Sequence, residues 1–299
     1  MKNKLLTVIL TLSFLSAGEL GGYSIFEYNN SAFEMNRVYL QYTDDLSDDL
    51  FLKIRYDVGR EGSNKDGKFG SYLKNAYVDW NVQKLGKLSL GLIGTNSYSI
   101  QESNWGYRFI AKSAPDMYGF TNTADLGIGL SKSIGDIEVS IQALNGEGYK
   151  EKDKDKSSST YLRLLYGEKK LNKNDGFNIG LVYNNNSDEN ETLFGAFGGY
   201  AAKYLGSHYR IGLEYNIYEA NSITEKVTSF YSDFNFKKYE KINVFFRIDF
   251  ISEEGVINSD DDNLYVGFVI NPTKGLYISP HLVQSRDNTD YKLTFMFKY

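Results

Sequence analysis

The chain has 299 residues, no Cys and a formal net charge of −5. These values exclude disulfides, thiolate metal sites and a strongly basic nucleic-acid binder, so no nucleic acid is expected as a partner. With 25 Tyr, 19 Phe, 28 Gly and only 3 Pro, the composition favours strands and tight turns.

Met1 to Ala17 reads as a secretory signal. Lys2 and Lys4 form the positive region, Leu5 to Leu15 the apolar region, and Ser16-Ala17-Gly18 the small-residue cleavage site. A membrane anchor is the alternative, but a spanning helix needs about 18–20 apolar residues. Residues 18–299 are read as one domain.

From Gly21 onward apolar and polar residues alternate. Arg37, Tyr39 and Gln41 oppose Val38, Leu40 and Tyr42. In Leu50 to Arg60, Leu50, Leu52, Ile54, Tyr56 and Val58 share one face, and Lys53, Arg55 and Asp57 the other. The pattern returns in Ala76–Trp80, Leu88–Leu92, Leu126–Leu130, Ile137–Ile141, Tyr209–Ile217, Ile242–Phe250 and Tyr291–Tyr299. A period of two means strands with one apolar and one polar face. About sixteen such segments are expected, several of them long enough to cross a bilayer when tilted.

The connections alternate too. One set is short: 44–49, 83–86, 135–136, 205–207, 237–240 and 272–275. The other is longer and more polar: 61–71, 95–123, 145–159, 184–190 and 252–263. Together these features predict an all-β fold, a transmembrane antiparallel up-and-down β-barrel. A Lys or Arg facing lipid at mid-membrane costs roughly 2–4 kcal/mol, so the charged faces are assigned to the lumen. Closure follows, because lipid cannot satisfy a free strand edge. Tyr42, Trp80, Tyr183, Tyr215 and Tyr299 are candidates for the interfacial girdles. Lys74 and Lys132 fall on the apolar face, which requires snorkelling at a strand end or a local shift of register.

Thr95–Thr123 breaks the alternation. Its aromatics argue against disorder, and charges lie between them. It is expected to be a constriction loop folded into the lumen, carrying Glu102, Trp105, Arg108, Lys112 and Asp116. The expected pore-lining cations are Arg37, Lys53, Arg55, Arg163, Arg210, Arg247 and Lys292. Arg37, Lys53, Arg55 and Lys292 form a basic strip that would face Glu102 and Asp116 across the pore. The alternative is that these charges merely pair and solvate a wet wall.

The segments Asn36–Leu40, Leu46–Arg55, Leu73–Trp80, Asp125–Ser131 and Leu144–Gly148 resemble, in order and spacing, the phosphate-selective porin family within the general porins. The likeness covers roughly Gly21 to Gly148, and beyond it is architectural. The C-terminal Phe297-Lys298-Tyr299 is similar to the insertion signal of outer-membrane barrels. The resemblance implies a trimeric channel with its third external loop inside. The chain is shorter than typical members and lacks a dense ladder of Arg and Lys on that loop.

No catalysis and no cofactor are expected. Gly127-Ile128-Gly129 lacks the third Gly and following helix of a nucleotide fingerprint. His281 lies two residues after Ser279 without an orienting acid nearby, so a hydrolytic triad is incomplete. Asp260-Asp261-Asp262 with Glu253 and Glu254 has no calcium-loop spacing and reads as a solvated acidic loop. The expected function is passive diffusion of small hydrophilic solutes and ions through the bacterial outer membrane, weakly biased towards anions. The expected partners are the lipid bilayer, lipopolysaccharide and two further copies in a homotrimer. Two alternatives stay open: a plugged barrel acting as an adhesin or structural protein through its external loops, and a soluble secreted β-sandwich.

Overall fold

The computed structural model describes residues 18–299 except 30, 61–67, 153–157, 187–189, 205, 236–238, 240, 255–260 and 287. The proposed signal segment, part of the acidic loop and part of the 145–159 connection lie outside the described residues.

Sixteen strands follow one another in sequence: β1 (Glu19–Asn29), β2 (Ala32–Ser47), β3 (Leu50–Arg60), β4 (Phe69–Val82), β5 (Gly86–Gly94), β6 (Ala124–Ile134), β7 (Ile137–Leu144) and β8 (Ser159–Gly167). The second half comprises β9 (Gly176–Asn186), β10 (Glu191–Tyr204), β11 (Ser207–Ala220), β12 (Ile223–Asn235), β13 (Ile242–Glu253), β14 (Asp261–Thr273), β15 (Leu276–Ser285) and β16 (Asn288–Lys298). Each pairs antiparallel with its neighbours, and β16 returns to β1, so the sheet is a closed barrel. At the seam Gly22 donates its N–H to the Tyr299 carbonyl at 2.9 Å, and Tyr299 returns the bond to Gly22 at 3.2 Å. Closure leaves no open edge, which is what a sheet needs in a solvent without hydrogen-bonding capacity. No described helix is long and apolar enough to cross a membrane; strands cross by other rules.

The alternation read from the sequence is the alternation of the barrel faces. On β6 and β7, Leu126, Ile128, Ile137, Val139 and Ile141 are exposed outward, while Asp125, Glu138, Ser140 and Gln142 are buried inward. Trp80, Tyr183 and Tyr215 point out and are exposed. The first strand begins at Glu19, two residues before the expected start.

Lys74 is corrected. Arg55 pairs with Asn75 and Tyr56 with Leu73, so Lys74 is an extra residue in a β-bulge. Lys74 and Asn75 are both buried inside the barrel, and Leu73 remains outside. Such an insertion re-aims a side chain without disturbing the strand on either side. Lys132 stays outside at the end of β6 and donates to the Lys84 carbonyl of the β4–β5 turn at 2.6 Å. In β10, where Gly and Ala leave both phases open, Leu193, Gly195, Phe197 and Ala201 are buried and Phe194 and Tyr200 are exposed.

The main apolar core lies within the barrel. Trp105, Tyr107, Phe109 and Ala111 pack with Tyr231, Phe245, Tyr265, Val269, Met296 and Ile25. Those last six stand on the inner faces of β12, β13, β14, β16 and β1. Two short helices interrupt the β5–β6 connection: α1 (Ser99–Trp105) and α2 (Ala114–Met117).

Candidate channel site

Residues 95–123 are held by polar bonds to the buried faces of many strands. At their start, the Asn96 N–H donates to Gln142 on β7 at 2.9 Å, and Ser97 donates to Asn184 on β9. Asn104 and Asn178 exchange two amide bonds of 2.8 Å. Helix α1 ends at Gly106, whose left-handed φ of 77° lets its N–H return to the Glu102 carbonyl. A Cβ at Gly106 would also fall 2.4 Å from the Arg210 guanidinium. Arg210 pairs with Asp233 at 2.6 Å and donates to the Trp105 carbonyl at 2.9 Å. The Tyr107 hydroxyl donates to the same Asp233 at 3.0 Å. Further along, Arg247 binds Asp249 through two 2.8 Å bonds and donates to the Lys112 carbonyl at 2.6 Å. The Tyr118 hydroxyl completes that cluster, donating to Asp249 at 2.8 Å. Around these, Trp105 meets Tyr107, Tyr231 and Phe245 edge-on, an arrangement that favours aromatic pairs.

The walls of β2, β3 and β4 are different. Tyr39 is buried at their centre, and four cations gather on it. The Arg37 and Arg55 guanidiniums lie 6.0 and 5.4 Å from its ring centre, and the Lys74 ammonium 5.4 Å. Arg108 reaches it from the 95–123 segment, 3.3 Å from the hydroxyl. Cations over a tyrosine face are attracted by its quadrupole. Arg37 pairs with Asp57 at 2.7 Å, and the Tyr149 hydroxyl donates to that same carboxylate at 2.7 Å. Arg55 instead donates twice to the neutral Gln41 side chain, at 3.1 and 2.6 Å. Arg108 also bridges Glu102 and Asp116, and Lys112 adds a 3.0 Å pair to Asp116. Burial alone would raise the Asp116 carboxyl, but Arg108 first and then Lys112 hold it below the usual carboxylate range.

Three cavities adjoin this region. One of about 240 Å³ lies between Arg37, Tyr39, Arg108 and Lys112. A second, about 480 Å³, is lined by Gln41, Arg55, Lys173 and Lys298. The largest, about 810 Å³, is lined by Tyr77, Asp79, Lys87, Glu138, Arg163 and Lys169.

Of the cations assigned to the lumen from the sequence, Arg37, Lys53 and Arg55 share the inner wall of β2 and β3. Arg163 borders the largest cavity, paired with Glu138 at 2.7 Å and donating to Ser99 at 3.0 Å. Lys292 pairs with Glu27 at 3.1 Å. Arg210 and Arg247 are corrected: both are fully buried behind residues 95–123 and hold that segment instead of facing open space. Trp105 is likewise a packing residue, 1% exposed. Glu102 and Asp116 do not stand free against the basic wall, because Arg108 lies between them.

Two residues of this wall were not among those assigned to the lumen from the sequence. Lys74 carried a signal, since Lys74 and Asn75 are two polar residues in succession within an alternating strand. Tyr149 carried none, because it belongs to a long connection. His281 Nδ1 lies 3.0 Å from the Ser279 backbone oxygen, which can only accept a hydrogen bond from it, and the ring is buried. Among the described residues no cluster of three or more His, Asp or Glu could hold a metal ion.

A closed barrel with an apolar outer face and a charged inner face is an outer-membrane β-barrel. Comparison with solved structures agrees on the fold. The outer-membrane protein OmpT of Vibrio cholerae aligns with a TM-score of 0.62 at 12% identity, covering 95% of this chain and 98% of that one. The outer membrane channel DcaP of Acinetobacter baumannii gives 0.63 at 10% identity, covering 94% and 97%. A triple mutant of Rhodopseudomonas blastica porin gives 0.63 at 12% identity, covering 94% and 100%. No curated protein matches the sequence. The family model for phosphate-selective porin O and P matches residues 15–197, more than half of the chain. The chain belongs to that family, and its place is the bacterial outer membrane. The family is one of porins.

Proposed function

We propose that this protein is a water-filled channel for passive diffusion of small hydrophilic solutes and ions, with a weak preference for anions. Residues 95–123 fold into the lumen and pack on the wall from β7 round to β1. The path runs along β2 to β5, past Arg37, Lys53, Arg55 and Lys74. The convergence of cations on Tyr39 carries the reading. Five cations (Arg37, Arg55, Lys74, Arg108 and Lys112) stand there against three carboxylates (Asp57, Glu102 and Asp116), and a net positive lining biases which ions enter. A homotrimer seated among lipopolysaccharide is the assembly this reading takes from the family resemblance.

The test is single-channel conductance in a planar bilayer, with the reversal potential under a salt gradient. Discrete steps with an anion-selective potential are expected, and replacing Arg37 and Arg55 together by Gln weakens the selectivity. A cation-selective potential would discard the charge assignment and keep the channel. Silence from folded protein would discard the channel. A plugged barrel is the second reading, favoured by the number of strands that residues 95–123 engage; sustained open-channel current excludes it.

A further inference from the structure

The β8–β9 connection, residues 168–175, is the longest turn on the short-turn end of the barrel. Leu171 in it has 0% exposure, whereas Leu85 in the β4–β5 turn at the same end is 47% exposed. A Leu in a surface turn is buried only if it has somewhere to go. Here it lies against Gly199, where an added Cβ would fall 2.8 Å from the Leu171 side chain and 2.9 Å from the Asn104 amide. The turn is tied to α1 at two further points. Ser103 donates to Asn172 at 2.9 Å. Asn178 donates to the Glu168 carbonyl at 2.6 Å while paired with Asn104. The turn therefore touches the same helix that 95–123 presents to the lumen.

It also crosses the mouth. Lys169 lines the 810 Å³ cavity beside β4 to β8 and pairs with Glu138. Lys173 lines the 480 Å³ cavity, whose other walls are β1, β2, β3 and β16, half the barrel away from β8 and β9. One turn reaches both chambers only by spanning the space between them.

We propose that residues 168–175 form a second narrowing element at the periplasmic end of the channel, latched to α1 by Leu171 and Asn172. A solute passing along the β2–β5 wall meets residues 95–123 first and this turn second. Lys173 then adds a positive charge where the path leaves the barrel. The proposal rests on the channel reading above, and the experiment separates the two.

Conductance would be measured for wild type, for Leu171→Asp, and for a chain with residues 169–174 replaced by Asn-Gly. A carboxylate cannot stay in the Leu171 niche, so the turn swings out. A wider opening raises ion flux, and both variants are expected to conduct about 1.5-fold more than wild type or better. Leu85→Asp, on an exposed turn, leaves conductance unchanged. The chain has no Cys, so Ser103→Cys with Asn172→Cys in the Leu171→Asp background gives a clean latch. Its oxidation returns the conductance to the wild-type value, and reduction releases it. Wild-type conductance from both folded turn variants would overturn the proposal. Silent wild type with conducting variants would overturn the open-channel reading and leave the turn as a closure. Silence from all would overturn both.

Discussion

Arg247 illustrates what a single residue does here. Its side chain and that of Asp249 have 0% exposure. Two charges without water are tolerated because each guanidinium nitrogen makes a bond: two to Asp249 and one to the Lys112 carbonyl, with a cation–π contact 5.3 Å from Trp105 besides. Removing one member of a buried pair costs about 3–5 kcal/mol, because the other is left uncompensated, whereas an exposed pair is worth about 0–1 kcal/mol. Arg247→Met should therefore lower the unfolding midpoint in detergent sharply. Lys226→Met, which breaks the exposed pair with Glu254, should leave it unchanged. Trp105 fluorescence reports the change locally, because its ring packs under the guanidinium. Adding Asp249→Leu to Arg247→Met should recover part of the loss, since the Asp249 carboxylate is then no longer left unpaired. A wild-type midpoint for Arg247→Met would mean that this residue does not anchor the segment.

At the scale of the element, β4 separates what alternation can and cannot reveal. The strand itself, its length and its inner residues Tyr77 and Asp79 follow from period two. The bulge does not, because one inserted residue leaves the pattern intact on either side and merely changes its phase. Two consecutive polar residues, Lys74 and Asn75, are the trace it leaves. The same limit explains Arg210 and Arg247. Alternation tells inward from outward, but an inward residue can face water or a packed segment. The distinguishing mark was present: Val227, Tyr231, Phe245, Tyr265 and Val269 put apolar groups on the otherwise polar inner faces of β12 to β14. An apolar side chain in a wet lumen would be unfavourable, so those positions required a cover. In β10 no such mark existed, because Gly and Ala satisfy either face. The bulge makes a sharp prediction. Deleting Asn75 should give a regular strand with Leu73 and Ala76 outside and Lys74 opposite Arg55, so the protein should fold and keep its ion selectivity. Deleting Val78 should instead turn Asp79 towards lipid and Trp80 towards the lumen, and folding into vesicles should fail. Equal folding yields for the two deletions would sink the bulge assignment.

For the whole molecule, everything above depends on which medium covers the outer face. The barrel exposes large apolar side chains on most of its strands, including Leu126, Leu164, Ile179, Leu213 and Phe268. In water such a surface would be a liability for aggregation. In a bilayer it is the condition for solubility, and it makes the cost of a charge depend on depth. β6 offers both depths on one face. Ile128 is near the middle of the strand and 44% exposed, and Ile134 is at its end and 68% exposed. Between the two, Lys132 already places an ammonium on the outer face and satisfies it on the Lys84 carbonyl. A charge is thus accommodated within two residues of Ile134. Ile128→Arg should destabilise the folded protein in vesicles by roughly 2–4 kcal/mol, and Ile134→Arg by about 0–1 kcal/mol. Reversible unfolding in denaturant would measure both. A soluble protein would show the opposite order of tolerance or none, because an arginine on a water-facing strand costs little at any position. If Ile128 instead faces another copy in a trimer, the loss should appear as dissociation that depends on protein concentration, with the folded monomer intact. The pattern of the two substitutions therefore reads out the medium at the centre of β6, and with it whether the charges around Tyr39 line a path across a membrane.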